Sequence, residues 1–201
     1  MLMKKLPLTL LVATFAVAAN AQTPTAPAPA PTGTTPAAGA AGAAAAKPKA
    51  ISATDKKFIK DASDAILVEQ KYLGLIENNK SLTLPETTTR DVTKTTGELK
   101  RIWTALATLA TDKGAEVAQN VEKNDQAKID KIGKEKPDKF QKEFFKDFSK
   151  ETKKTVKLFE SSKTLQDADV KKFAEDWTTV IKGHDLFAET GEKAAAPGKK
   201  K

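Results

Sequence analysis

From Ile51 to Thr190, apolar residues recur every three or four positions in four long stretches, with lysine, glutamate and aspartate filling the positions between. That spacing is the period of an α-helix with one apolar stripe. The first stretch runs from about Thr54 to Asn79 and carries Phe58, Ile59, Ala62, Ala65, Ile66, Tyr72, Leu73 and Ile76. The second, from about Pro85 to Lys113, carries Val92, Leu99, Ile102, Trp103, Leu106, Leu109 and Ala110. The third, from about Asp138 to Ser161, carries Phe140, Phe144, Phe145, Phe148, Val156 and Phe159. The fourth, from about Asp167 to Thr190, carries Val170, Phe173, Ala174, Trp177, Val180, Ile181, His184 and Phe187. A shorter helix is predicted over about Glu122 to Ile132. No stretch is apolar all round, so each must bury one side against the others. Four such helices predict an all-α fold: an antiparallel four-helix bundle with one short extra helix between the second and third long ones.

The punctuation agrees with these bounds. Pro85 and Pro137 stand just before helical patterns, where a first-turn proline costs least. Asp167 reads as an N-cap, and Gly114 and Gly191 read as terminators. Seven threonines between Thr83 and Thr96 lower helix propensity, so the second helix is expected to fray at its start. Trp103 and Trp177 read as core anchors. Phe144 and Phe145 cannot share one narrow line, so one is expected to border a helix interface or a dimer contact. The aromatic stripe from Phe140 to Phe159 offers either a hydrophobic ligand slot or plain core, and core is the commoner outcome at this spacing.

The flanks differ in composition. Lys4 and Lys5, the apolar run Leu6 to Ala18, and Ala19-Asn20-Ala21 follow the order of a cleavable signal peptide, residues 1–21. Removing the two lysines and no acid lowers the formal charge from +8 to +6. Residues 22–50 are mostly Ala, Pro, Thr and Gly and predict a disordered spacer with polyproline character. At about 3.1 Å per residue such a spacer reaches roughly 90 Å when fully extended. The bundle is expected over residues 51–191, followed by a basic disordered tail at 192–201. No later apolar run approaches the roughly twenty residues of a membrane span. The reading is an exported protein, periplasmic or associated with the outer envelope of a bacterium, with an envelope component or another protein as its partner. Cysteine is absent, which excludes disulfides and thiol chemistry.

Several pieces in order carry a resemblance. They are Asp55-Lys-Lys-Phe58-Ile59-Lys-Asp-Ala62, the segment from Leu106 to Gly114, Thr155-Val-Lys-Leu-Phe159-Glu160, and Asp169 through Phe173 and Ala174 to His184. Residues 51–190 thereby resemble a bacterial family of secreted, ferritin-like helical bundles known as domain of unknown function 4142 and often labelled "predicted outer membrane protein". The resemblance implies an Asp-His pair in the second helix, where this chain has Glu98-Leu99, and a histidine in the third, where it has Thr152. It implies a histidine in the fourth helix, which is His184, preceded by a proline where this chain has Thr179. One of the three family histidines therefore remains.

His184 is the single histidine of the chain and lies on an apolar seam. Histidine on such a seam is either a metal ligand or acid/base group, or a part-buried side chain bonded to one neighbour; the second outcome is the commoner. Glu69, flanked at helical spacing by Ile66 and Tyr72, faces inward on the same logic, and a Glu69–His184 hydrogen bond is predicted. These two residues are the candidates for a metal, though a transition-metal site usually needs several nitrogen or sulfur ligands. A di-iron bundle site needs Glu-x-x-His pairs, and the residue three before His184 is Ile181. There is no G-x-S-x-G elbow, and Gly97, Gly114 and Gly133 stand singly rather than in a phosphate loop. The reading is therefore a non-enzymatic module with no cofactor; the alternative that the resemblance implies is a ferritin-like metal-binding or stress-protective protein with a degenerate histidine set. Lys193, Lys199, Lys200 and Lys201 are candidates for polyanion contact. No motif for sequence-specific nucleic-acid binding is present.

Overall fold

The helical periods are realised as five α-helices, and no strand occurs among the described residues. The computed structural model describes residues 51–79 and 82–195, all within one unit spanning Ala44–Lys201. The expected signal peptide, the spacer at 22–50 and Lys199, Lys200 and Lys201 lie outside the described residues. The helices are α1 (Ala53–Asn78), α2 (Glu86–Lys113), α3 (Lys123–Gly133), α4 (Pro137–Glu160) and α5 (Ala168–Ala195). A single 3-10 turn, Ser161–Thr164, joins α4 to the approach to α5. The all-helical fold expected from the sequence is observed.

The core forms around α4. Its Phe140, Phe144, Phe145, Phe148 and Phe159 are essentially buried, each contributing about 1.5–3 kcal/mol over exposure. These rings pack mainly on one another, and Phe140 also borders a groove. Phe144 stacks on Phe140 and Phe148 at centroid distances of 5.9 and 5.4 Å, and Tyr72 of α1 stands edge-on to Phe144. Both Phe144 and Phe145 are buried, and of the two expected alternatives it is the helix interface that occurs: Phe145 turns to Phe187 of α5, 5.6 Å away. Phe58 near the start of α1 meets Phe159 near the end of α4, while Tyr72 near the end of α1 meets Phe148 nearer the start of α4. Those two helices therefore run in opposite directions. By the same test α4 and α5 are antiparallel, because Phe159 meets Phe173 and Phe145 meets Phe187. In addition, α2 packs on α1 and α5, and α3 lies against α1 and α4.

One end of the bundle is tied by carboxylates. Ser52 caps α1: its hydroxyl accepts from the Asp55 amide and donates to Asp55 Oδ2 at 2.6 Å. The fully buried Asp55 then accepts the backbone N–H groups of Gln166 and Asp167, which lead into α5. Asp167 acts as the expected N-cap, accepting from the Asp169 and Val170 amides. Lys113 at the end of α2 donates to Asp167 at 2.9 Å and Asp169 at 2.6 Å. Gly114 follows with φ 59°, the left-handed terminator expected there. Farther along α1, Ser63 accepts the Ala118 amide and fastens the chain between α2 and α3.

Three expectations are corrected. Gly191 does not end the last helix, which continues to Ala195. A side chain at 191 would meet the Phe145 ring at 2.2 Å, so glycine is required there for close approach rather than for termination. Consequently Lys193 sits in the last turn of α5, not in a disordered tail. Trp103 and Trp177 are half-buried at the margin of the core rather than anchors within it. The threonine-rich start of α2 is helical from Glu86, and Thr89 and Thr93 return their hydroxyls to the carbonyls of Pro85 and Thr89.

Gly191→Ala is expected to destabilise the bundle by about 1–3 kcal/mol through overpacking against Phe145. Urea unfolding of this variant, and of the same change combined with Phe145→Leu, checks it. The smaller ring is expected to make the double variant less destabilised than the sum of the singles. A Gly191→Ala shift below about 0.5 kcal/mol would remove the close-packing account.

A second outcome concerns acid. Hydrogen bonding to Lys113, reinforced by the Val170 and Asp169 amides, holds the Asp167 carboxyl below the usual carboxylate range. Its stabilisation is present above the ordinary unfolded value of about 3.9 and is lost as pH falls through the lower folded value. Lys113→Met is expected to cost up to about 1 kcal/mol at neutral pH, with the difference from the parent shrinking below about pH 3. Denaturant midpoints taken along a pH series measure both.

Candidate functional site

The seams of three helices bring three ionisable side chains together inside the bundle. Glu69 on α1 is fully buried, His184 on α5 is 1 % exposed, and the Glu98 side chain on α2 is 16 % exposed. His184 Nδ1 lies 3.3 Å from Glu69 Oε2, so the predicted Glu69–His184 hydrogen bond is present. The carboxylate accepts, which places the hydrogen on Nδ1. His184 Nε2 lies 3.3 Å from Glu98 Oε2, yet this approach lacks hydrogen-bond geometry, and Nε2 is a buried atom without a partner. Glu69 Oε1 is likewise buried without a partner.

Glu98 reaches both inward and outward. Its Oε1 stands 4.0 Å from Lys94 Nζ and 3.9 Å from Arg101, both on the exposed face of α2. The sequence shows this residue as one member of an ordinary surface charge row at i, i+3 and i+4. The inward oxygen was not foreseen from periodicity. Two signals bear on it: Glu98 lies next to Leu99 and four residues before Ile102, both fully buried, and the family resemblance puts an aspartate at this position.

The other family positions are differently used. Thr152 is buried on α4, and its hydroxyl donates to Asp185 Oδ1 at 2.9 Å rather than to His184. Ile181, also buried, sits one turn before His184 where a di-iron site requires glutamate. Among the described residues no group of three or more His, Cys, Asp or Glu is arranged to hold a metal ion. The donor set therefore does not fit a two-metal carboxylate centre. Tyr72 is no acid/base candidate, because burial, aided by Asp147, Glu151 and Asp125, pushes its phenol well above the ordinary range. A groove of about 820 Å³ runs between α1, α2, α3 and the start of α4, lined by Gln70, Lys71, Thr96, Lys100, Ile129 and Phe140, and it does not include His184. Of the basic candidates, Lys193 is exposed on α5.

The family model for a domain of unknown function, DUF4142, matches residues 40–190. The chain belongs to the DUF4142 family. No curated protein and no solved structure matches it. Within this DUF4142 chain no helix of the described residues is long and apolar enough to cross a membrane.

Breaking the buried contact from one side is expected to be costly. His184→Leu leaves Glu69 buried and unpaired and is expected to lose about 3–5 kcal/mol. The double variant Glu69→Leu/His184→Leu is expected to recover most of that loss, because two packed apolar groups need no partner. Equilibrium unfolding of the parent, the single and the double variants measures it. A double variant no more stable than the single would show that the pair is not an energetic unit.

Proposed function

We propose that this DUF4142 chain is a non-enzymatic helical module exported to the bacterial cell envelope, where it binds a partner while held at the end of a spacer. The observation that carries the reading is the order of segments in the sequence: a basic, apolar and Ala-x-Ala leader, then the Ala/Pro-rich stretch 22–50, then the bundle. Each has a physical use in that order. A leader exports, an extended proline-containing chain keeps a domain off a surface, and a bundle with a charged exterior presents faces for contact. The interior supports the same reading. The one imidazole is committed to Glu69 inside the bundle, so no exposed nucleophile–base pair is built around it.

Deleting residues 22–50 while keeping the leader is expected to alter the protein's fractionation with envelope components. Far-ultraviolet circular dichroism of the purified product should stay helical. Unchanged fractionation of the shortened chain would remove the tether from this account.

A further inference from the structure

We propose that the outer face of α4 is a docking ridge for one chain of a linear phosphodiester polymer. The inference names a partner class for the binding module proposed above and rests on that reading for its place in the cell. Its test uses the purified protein and is independent of export and of the spacer.

The first observation is what α4 leaves outside. Lys139, Lys142, Lys146, Lys150, Lys153 and Lys157 recur at intervals of three and four residues, so they lie in one stripe along the helix. With Lys154 beside them they fill every exposed position of α4 from residue 139 to residue 157. At 1.5 Å per residue the stripe is about 27 Å long. The opposite face is the phenylalanine row of the core, which holds the rod that carries the lysines. Exposed positions elsewhere are more varied: those of α2 are largely threonine, and those of α5 mix acids, lysine and neutral residues. Residues 138–157 hold seven lysines against four acids, Asp138, Glu143, Asp147 and Glu151, which leaves +3.

The second observation is the width of the ridge. Glu143, Asp147 and Glu151 form a half-buried row on one side of the lysines. On the other side Glu189 of α5 pairs with Lys153 at 3.0 Å, and Asp185 and Glu192 lie near the same lysine. A flat anionic bilayer would meet both acidic rows as well as the ridge, whereas a single polymer chain follows the lysines alone. A helix lying on a bilayer also needs an apolar face turned to the lipid, and that of α4 is turned into the core.

The third is the chemistry of the stripe. It contains no arginine, the residue suited to planar, bidentate recognition of carboxylates; lysine binds phosphate as a mobile point charge. Lys139, Lys142 and Lys157 make no ion pair among the described residues. Lys146, Lys150 and Lys154 pair with Glu143, Asp147 and Glu151 one turn back along the same helix. Exposed pairs of this kind are weak and screened by salt, so these arms can turn to a polymer. Recognition by charge spacing alone carries no sequence preference and depends steeply on salt.

The test measures binding of a fluorescent 20-residue oligothymidylate, a plain phosphodiester chain, by anisotropy along a salt series. Dissociation constants of tens of micromolar are expected at about 50 mM salt, with a log–log salt slope near −3 for four to five lysine contacts. The triple variant Lys142→Gln/Lys146→Gln/Lys150→Gln is expected to bind at least tenfold more weakly and to flatten the slope by about 2. The triple variant Lys94→Gln/Lys100→Gln/Lys172→Gln removes the same charge from α2 and α5 and is expected to weaken binding less than threefold. Circular dichroism and the urea midpoint of both triples are expected to match the parent, because every altered side chain is exposed. Equal losses in the two triples would reduce the effect to net charge and overturn the ridge. Binding that the α4 triple leaves intact, but that removal of residues 196–201 abolishes, would move the contact to the C-terminal lysines and overturn it too. Vesicles with about 30 % phosphatidylglycerol supply the remaining arm. Retention on them through the α4 lysines, without binding of the oligothymidylate, would make the partner a membrane and overturn the polymer.

Discussion

A carboxylate and an imidazole lie at the dry centre of this bundle, and the packing of α1 with α5 depends on the contact between them. Glu69 on α1 and His184 on α5 are both sealed from solvent. Either alone would face a desolvation penalty of several kcal/mol, and together they exchange that penalty for a charge-assisted contact. The contact also joins two helices that α4 otherwise holds from one side. Glu98 of α2 stands 3.3 Å from the other ring nitrogen without hydrogen-bond geometry, so three of the four long helices approach one imidazole.

Around that centre the apolar rows do the bulk work. The phenylalanines of α4 fill the space towards α1 and α5, and their ring contacts fix both separations. At one end Asp55, Lys113 and Asp167 join the starts of α1 and α5 to the end of α2. Gly191 lets the Phe145 ring lie against the backbone of α5 nearer the other end. These devices are local, and each removes a freedom that an apolar interface alone would leave.

The sequence shows the helices clearly because burial repeats with the helical period. Observed starts and ends of α1, α2, α3 and α4 fall within a residue or two of the positions read from periodicity and caps. The end of α5 was misread for a definite reason: glycine is used both to stop a helix and to admit a close neighbour, and only the three-dimensional position of Phe145 distinguishes the two. The Glu69–His184 contact was legible because both residues lie on apolar rows. The inward oxygen of Glu98 was not, since a charge three and four residues from Arg101 and Lys94 has the pattern of a solvated face. Asp55 shows the same limit. Its bond to Ser52 spans three residues, and nothing local in the sequence reveals that its carboxylate also holds the chain more than a hundred residues later.

Polar groups inside such a bundle also decide which apolar arrangement is reached. Leucine, isoleucine and phenylalanine rows tolerate a slip of one helical turn, about 5.4 Å, because one apolar contact replaces another. The buried acid does not tolerate it. Sliding α5 by one turn past α1 would set Ile181 or Ala188 in the place of His184, leaving Glu69 without a partner at a cost of about 3–5 kcal/mol. The same slip would carry Gly191 away from Phe145 and put Phe187 or Ala195 in its place, where a side chain replaces bare backbone. Register is thus set by two features that contribute little apolar area: one carboxylate–imidazole contact and one missing side chain.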